Sequence, residues 1–237
     1  MTVARGGRVR EYLFEDAERM AETLAGLVAA RLRAALRDHA TASLVTAGGR
    51  TPAPFLTRLA AAELPWDRVF VTLTDERWVG PDDPASNAAS VQATLLTRNG
   101  AAARFVPLYT GASTPEAGEA EAAARLAAIP RPYDVVLLGL GEDGHTASLF
   151  PGGDNLRAAL ALDSGRLCMA MRAAGAPQPR ITLTLPTLLD ASSLFILFAG
   201  AAKRGAFESV RADGPIEAMP MRGVLRNAPV PVEVFCA

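Results

Sequence analysis

Histidine and cysteine are almost missing from this chain, with two of each in 237 residues. Cys168 and Cys236 lie far apart and have no ligating neighbours at metal-site spacing. That excludes a disulfide framework and a thiolate metal centre, and both read as small buried hydrophobes. An excess of charge of one sign is also missing. The 24 Lys and Arg against 25 Asp and Glu leave a formal net charge of −1, so no global basic field exists to hold a nucleic acid. No run of about 18 apolar residues occurs, and the opening MTVARGGRVREYLFED lacks the apolar core of a secretory signal. The expected setting is the cytoplasm, with neither membrane nor nucleic acid as a partner. Low-complexity tracts, repeats and linkers are missing too; PRPYD and AGAPQPR are short turn or loop punctuation. With half of its residues hydrophobic, the chain is expected to form one α/β domain over 1–237.

What is present is alternation. The stretch 16–39 carries Met20, Leu24, Leu27, Val28, Leu32 and Leu36 at helical spacing, with Asp16 placed to cap its start and His39 at its end as a solvated group. Apolar runs follow at 43–47, 68–74, 104–109, 133–140, 167–171, 181–185, 193–200 and 230–235, with Ala-rich helical stretches such as 113–129 between many of them. This order predicts a largely parallel sheet with helices on both faces, a Rossmann-like three-layer sandwich.

Ligands of such sheets sit beyond the carboxyl ends of the strands, so the segments following each strand deserve the closest reading. Four carry chemistry. LVTAGGRTP offers Gly48 and Gly49 for close backbone approach, then Arg50, Thr51 and Pro52 at a helix start, a setting that favours phosphate. It lacks the Lys-Ser/Thr of a nucleotide-binding loop and the G-x-G-x-x-G of a dinucleotide turn. VTLTDERWV puts Asp75, Glu76 and Arg77 at a strand end, and Ser86-Asn87 downstream suits the start of the next helix. LLGLGEDGHTASLFPG places His145 in a glycine-rich loop beside Glu142 and Asp143, groups that orient or exchange a proton. FAGAAK offers Lys203 to an anion at another helix start.

AGGRTP, TDERWV with its downstream SN, GLGEDGHTASLFPG, PRITLTLPTLLDA and GAAK occur here in the order found in 6-phosphogluconolactonases, and the chain resembles that family over nearly its whole length. The resemblance implies a cytosolic, metal-independent hydrolase with no cofactor, a Rossmann-like sandwich shared with glucosamine-6-phosphate deaminases, and 6-phospho-D-glucono-1,5-lactone as the small-molecule substrate. Members commonly carry Ser-Gly-Gly-Ser-Thr-Pro where this chain has Ala47 to Pro52, so Arg50 offers a charged phosphate contact in place of a hydroxyl.

Opening a lactone needs a base for water, a proton for the ring oxygen and a grip on the remote phosphate. An imidazole, with an ordinary pKa of about 6.5, serves as base and then acid near neutrality. The candidate catalytic set is therefore His145 with Asp143 or Asp75 to orient its ring. The candidate phosphate set is Gly48, Gly49, Arg50, Thr51, Lys203, and Arg77 or Arg180. The protein is expected to act as a monomer or small homo-oligomer. A glucosamine-6-phosphate deaminase is the nearest rival, but its Asn-Glu-Pro after the histidine turn is here Leu149-Phe150-Pro151, and its Asp-Glu-Tyr is Asp75-Glu76-Arg77. A non-catalytic sugar-phosphate sensor is the other rival, against which the retained His145 speaks.

Overall fold

The computed structural model describes residues 2–6, as backbone, and 9–237. The chain opens with an antiparallel hairpin of β1 (Thr2–Gly6) and β2 (Val9–Leu13), which the sequence pattern did not announce. Asp16 then accepts the Glu18 backbone N–H at 2.9 Å and starts α1 (Ala17–Asp38), whose buried face carries Met20, Leu24, Val28, Leu32 and Leu36 as expected; Leu27 is half-buried. His39 is the exposed C-cap. Next come β3 (Ala42–Thr46), α2 (Ala53–Leu59), β4 (Val69–Leu73), β5 (Asp75–Arg77), α3 (Asn87–Thr94), β6 (Arg104–Val106) and α4 (Pro115–Ala127). Ser86 and Thr114 cap α3 and α4 through the Ala89 and Ala117 N–H groups. The second half holds β7 (Val135–Gly139), α5 (Leu156–Leu160), β8 (Cys168–Ala173), β9 (Ala176–Leu183), α6 (Leu185–Leu189), β10 (Leu194–Phe198), α7 (Ala201–Arg211), α8 (Met221–Asn227) and β11 (Val232–Cys236).

The main sheet runs β1-β2-β11-β10-β7-β3-β4-β6, parallel throughout except for β1 at its edge. Right-handed crossovers put α1, α2 and α3, which lead toward β6, on one face, and α4 to α8, which lead back toward β11, on the other. The packing agrees: α1 touches α2 and α2 touches α3, while α8 touches both α6 and α7. This is the three-layer α/β sandwich expected. The central strands β3, β7 and β10 are buried along nearly their whole length, which is why they read as continuous apolar runs. Both cysteines are free and buried; burial pushes the Cys168 thiol up to about 12.

Two of the eight expected sheet strands do not join that sheet. The runs 167–171 and 181–185 fall on β8 and at the end of β9, which form with β5 a separate antiparallel sheet, β5-β9-β8. AGAPQPR is likewise no loop, because β9 starts at Ala176. Its two prolines fall past the last β5–β9 pair, Arg77 with Arg180, where the Trp78 N–H still donates to the Pro179 carbonyl at 2.8 Å, a bond that needs no N–H from proline. One residue, Thr74, separates β4 from β5 and welds the two sheets. Its N–H donates to the Thr46 carbonyl at 3.1 Å, and its carbonyl accepts the Leu183 N–H at 2.9 Å.

Candidate active site

From β3 the chain moves outward to β4 and β6, then returns to β7 on the opposite side of β3. The loops after β3 and β7 therefore diverge, and a crevice opens at the carboxyl ends where strand order reverses. It holds a cavity of about 400 Å³, floored by the ends of β3, β7 and β10 and walled by the accessory sheet and the tip of the β8–β9 hairpin at Gly175 and Ala176.

The loop after β7 turns tightly at Gly141 and Gly144. A Cβ on Gly141 would sit 2.1 Å from His145 Nδ1, and Gly144 has φ +80° and would meet Met219. The imidazole thus occupies the space that Gly141 leaves open. Its Nδ1 meets Asp143 Oδ1 at 2.5 Å, and the same oxygen accepts the His145 backbone N–H at 3.1 Å. The Phe150 ring lies against the imidazole, centroids 4.7 Å apart. The hydrogen bond from His145 holds the Asp143 carboxyl below its ordinary value. With Nδ1 committed, Nε2 has no hydrogen-bond partner among the described residues, and the side chain, 32% exposed, borders the cavity.

Bordering the same cavity, β5 and β9 set Arg77 directly opposite Arg180 in their ladder. The Arg77 guanidinium donates to the Ala85 carbonyl. Arg180 is 7% exposed, and its Nε and Nη1 are buried without a partner. Burial pushes the guanidinium below its ordinary value, and Arg77 alongside adds to that, while Asp75 and Glu76 oppose it. A buried cation with free donors costs stability until an anion arrives. Lys203, in the first turn of α7, borders the same cavity. Burial pushes its ammonium down; Glu142 counters and the exposed Arg50 reinforces.

The structure gathers Gly48, Arg50, Thr51, Asp75, Arg77, His145, Arg180 and Lys203 around one cavity, with Asp143 directly behind the imidazole. Two expectations change. Asp75 does not orient the ring: its Oδ1 accepts from Thr74 Oγ1 at 2.9 Å and its Oδ2 from Ser148 Oγ at 2.6 Å, so Asp143 alone has that role. Gly49 does not offer its N–H to a phosphate, because that group donates to Ser90 Oγ at 3.2 Å; its φ of +94° is what demands glycine. Gly48 is needed for another reason, since a Cβ there would lie 2.7 Å from Asn87 Oδ1. Asn87, read from sequence only as a helix start, borders the cavity and donates from Nδ2 to the Asp75 carbonyl at 2.9 Å. Glu76 is not a site group. Fully buried, it accepts the Asn87 and Ala88 N–H groups at 2.7 Å each and caps α3, while burial raises its carboxyl above the ordinary value. No cluster of three or more His, Cys, Asp or Glu side chains suited to a metal ion occurs among the described residues.

An oriented imidazole and a buried guanidinium with free donors around one switch-point cavity are the equipment of an α/β enzyme that handles a small anion. Comparison with known proteins narrows that class. The family model described as glucosamine-6-phosphate isomerases/6-phosphogluconolactonase matches residues 15–232, and the chain belongs to that family. It is 47% identical to a 6-phosphogluconolactonase of Mesorhizobium japonicum over 94% of this chain and 93% of the relative. It is 44% identical to one from Rhizobium meliloti over 95% and 97%. A crystal structure of a 6-phosphogluconolactonase from Shewanella baltica matches with a TM-score of 0.93 at 37% identity, over 95% of this chain and 96% of that one.

Proposed function

We propose that this protein hydrolyses 6-phospho-D-glucono-1,5-lactone to 6-phospho-D-gluconate, the second step of the oxidative pentose phosphate pathway, with His145 as general base. The observation that carries the reading is that His145, its ring fixed through Asp143, and Arg180, with unpartnered N–H groups, border one cavity. Nε2 takes a proton from water as the oxygen attacks the lactone carbonyl. The tetrahedral intermediate then collapses with cleavage of the bond between the carbonyl carbon and the ring oxygen. The imidazolium returns its proton to that oxygen, leaving a carboxylic acid that ionises at neutral pH. Asp143 stabilises the imidazolium between the two transfers. Arg180, Arg77 and Lys203 bind the phosphate, and Arg50 reaches it from the rim. Anchoring at the phosphate turns the attack into a positioned, effectively unimolecular event.

The names of relatives at up to 47% identity support this substrate. Phe150 supports it against the deaminase alternative: an aromatic ring packs on the imidazole from a segment that in deaminases supplies a carboxylate. No helix among the described residues is long and apolar enough to cross a membrane, in keeping with a cytoplasmic role. The direct test follows the loss of freshly generated lactone with and without the protein, corrected for spontaneous hydrolysis. Acceleration is expected and should survive exhaustive chelation; a rate equal to the uncatalysed one overturns the reading.

A further inference from the structure

The histidine loop is tied to the accessory sheet through one residue outside the catalytic and phosphate sets. Ser148, three residues after His145, is fully buried. Its Oγ donates to Asp75 Oδ2 at 2.6 Å, and its N–H donates to Thr182 Oγ1 at 3.2 Å. Asp75 and Thr182 face each other in the β5–β9 register, and the rung that pairs Arg77 with Arg180 lies two residues along. Both bonds from Ser148 thus land on the ladder that carries the arginines. The far side of Asp75 is held as well: Thr74 Oγ1 donates to its Oδ1, and Asn87 Nδ2 donates to its carbonyl.

The loop between His145 and Ser148 is held under strain. Ala147 sits at φ +50°, a conformation that non-glycine residues seldom adopt. Such a backbone persists only where its surroundings over-determine it. Here the Leu149 N–H donates to the Thr146 carbonyl at 2.9 Å, closing the turn, and the charge-assisted bond to Asp75 fastens its exit. The imidazole borders the cavity from this loop, and Arg180 borders it from the strand to which the loop is fastened.

We propose that Ser148 is a positioning residue for His145: its bonds to Asp75 and Thr182 hold the imidazole in register with the arginine ladder, so that base and anion clamp address the same substrate molecule. Asp75 is then the anchor of a strap rather than a proton-transfer group. This rests on the reading of His145 as general base, and it acts on kcat because a misplaced base loses attack geometry while the phosphate grip stays intact.

The test measures lactone hydrolysis, KM and thermal midpoint for Ser148→Ala, His145→Ala and the double variant. Ser148→Cys serves as a second single variant that keeps most of the side-chain volume with a weaker donor. Ser148→Ala is expected to lower kcat about tenfold or more with KM little changed, and Ser148→Cys to fall between it and the parent. In the His145→Ala background, Ser148→Ala should cost almost nothing further, since the strap acts through the imidazole. Parental kcat in both Ser148 variants, or an equal further loss in the double variant, overturns the proposal. Parental kcat in His145→Ala alone overturns the underlying reading instead, so the two failures are told apart.

Discussion

The two walls of the cavity are built by opposite means. The histidine wall is local: Gly141, Asp143, Gly144 and His145 meet within five residues, and the ring sits where a side chain on residue 141 would otherwise stand. The arginine wall is long-range. Arg77 and Arg180 meet only because Thr74 carries the chain from the parallel sheet into an antiparallel ladder completed much later in sequence. The difference extends to charge. His145 is partly exposed and already paired with Asp143, whereas Arg180 is buried with free donors, which the proposed function assigns to ligand. A wall complete in itself is suited to chemistry, and a wall completed by ligand is suited to binding.

That division has consequences for kinetics. His145→Ala should lower kcat by roughly 10²–10⁴-fold, the range for loss of a general base, with KM and folding retained. A folded variant with parental kcat would erase the contrast. Arg180→Met should act on the other parameter, raising KM by the equivalent of about 1.5–3 kcal/mol, roughly 10–150-fold, for a lost contact to a charged group. Its thermal midpoint should hold or rise, because a buried cation with unpartnered donors has been removed; a fall of several degrees would make Arg180 a structural cation. Lys203→Ala should raise KM by less, about tenfold or under, since Glu142 already offsets the ammonium. Arg50→Ala, exposed at the rim, should do least of the three. Measuring KM for all three cations under one set of conditions tests that ranking.

How much of this was legible in the sequence follows the same line between local and long-range. Helix α1 and its Asp16 cap, the parallel strands with buried faces, and the proline and threonine start of α4 all announce themselves through periodicity and turn chemistry within a few residues. So does the histidine loop, whose glycines are adjacent to what they accommodate. The accessory sheet does not: an apolar run in β9 looks the same whether its neighbours are parallel or antiparallel, and only register reveals that Arg180 opposes Arg77. The choice between Asp143 and Asp75 as ring partner turned on a serine hydroxyl that no spacing rule points to. Hairpin β1–β2 does not announce itself because VREYL, with two charged residues followed by two apolar ones, shows no period-two alternation, and its pairing with β11 joins opposite ends of the chain.

The smallest effect expected lies where the arginine wall is moored to the rest of the fold. Arg172, at the turn of the β8–β9 hairpin whose tip borders the cavity, pairs with Glu116 in the first turn of α4, and its backbone N–H donates to Asp154 Oδ1 at 2.8 Å. Arg172 lowers the Glu116 carboxyl to about 2. A carboxyl held below its unfolded value contributes stability that is fully present above the ordinary value of 4.5 and is lost as pH falls from there toward about 2. Both side chains are 44% exposed, so solvent screens the pair and its contribution is about 0–1 kcal/mol. For a chain of this size that corresponds to a thermal midpoint lower by at most about 2–4 °C at neutral pH in Glu116→Gln. The difference between the variant and its parent should shrink as pH falls below about 4 and vanish near 2. KM should barely move, because Arg180 is held by backbone ladders to Arg77 on β5 and Met171 on β8, which the loss of the Glu116 pair leaves in place. A Glu116→Gln variant whose KM rises as far as that of Arg180→Met would show that the mooring, and not the ladder, sets the arginine wall.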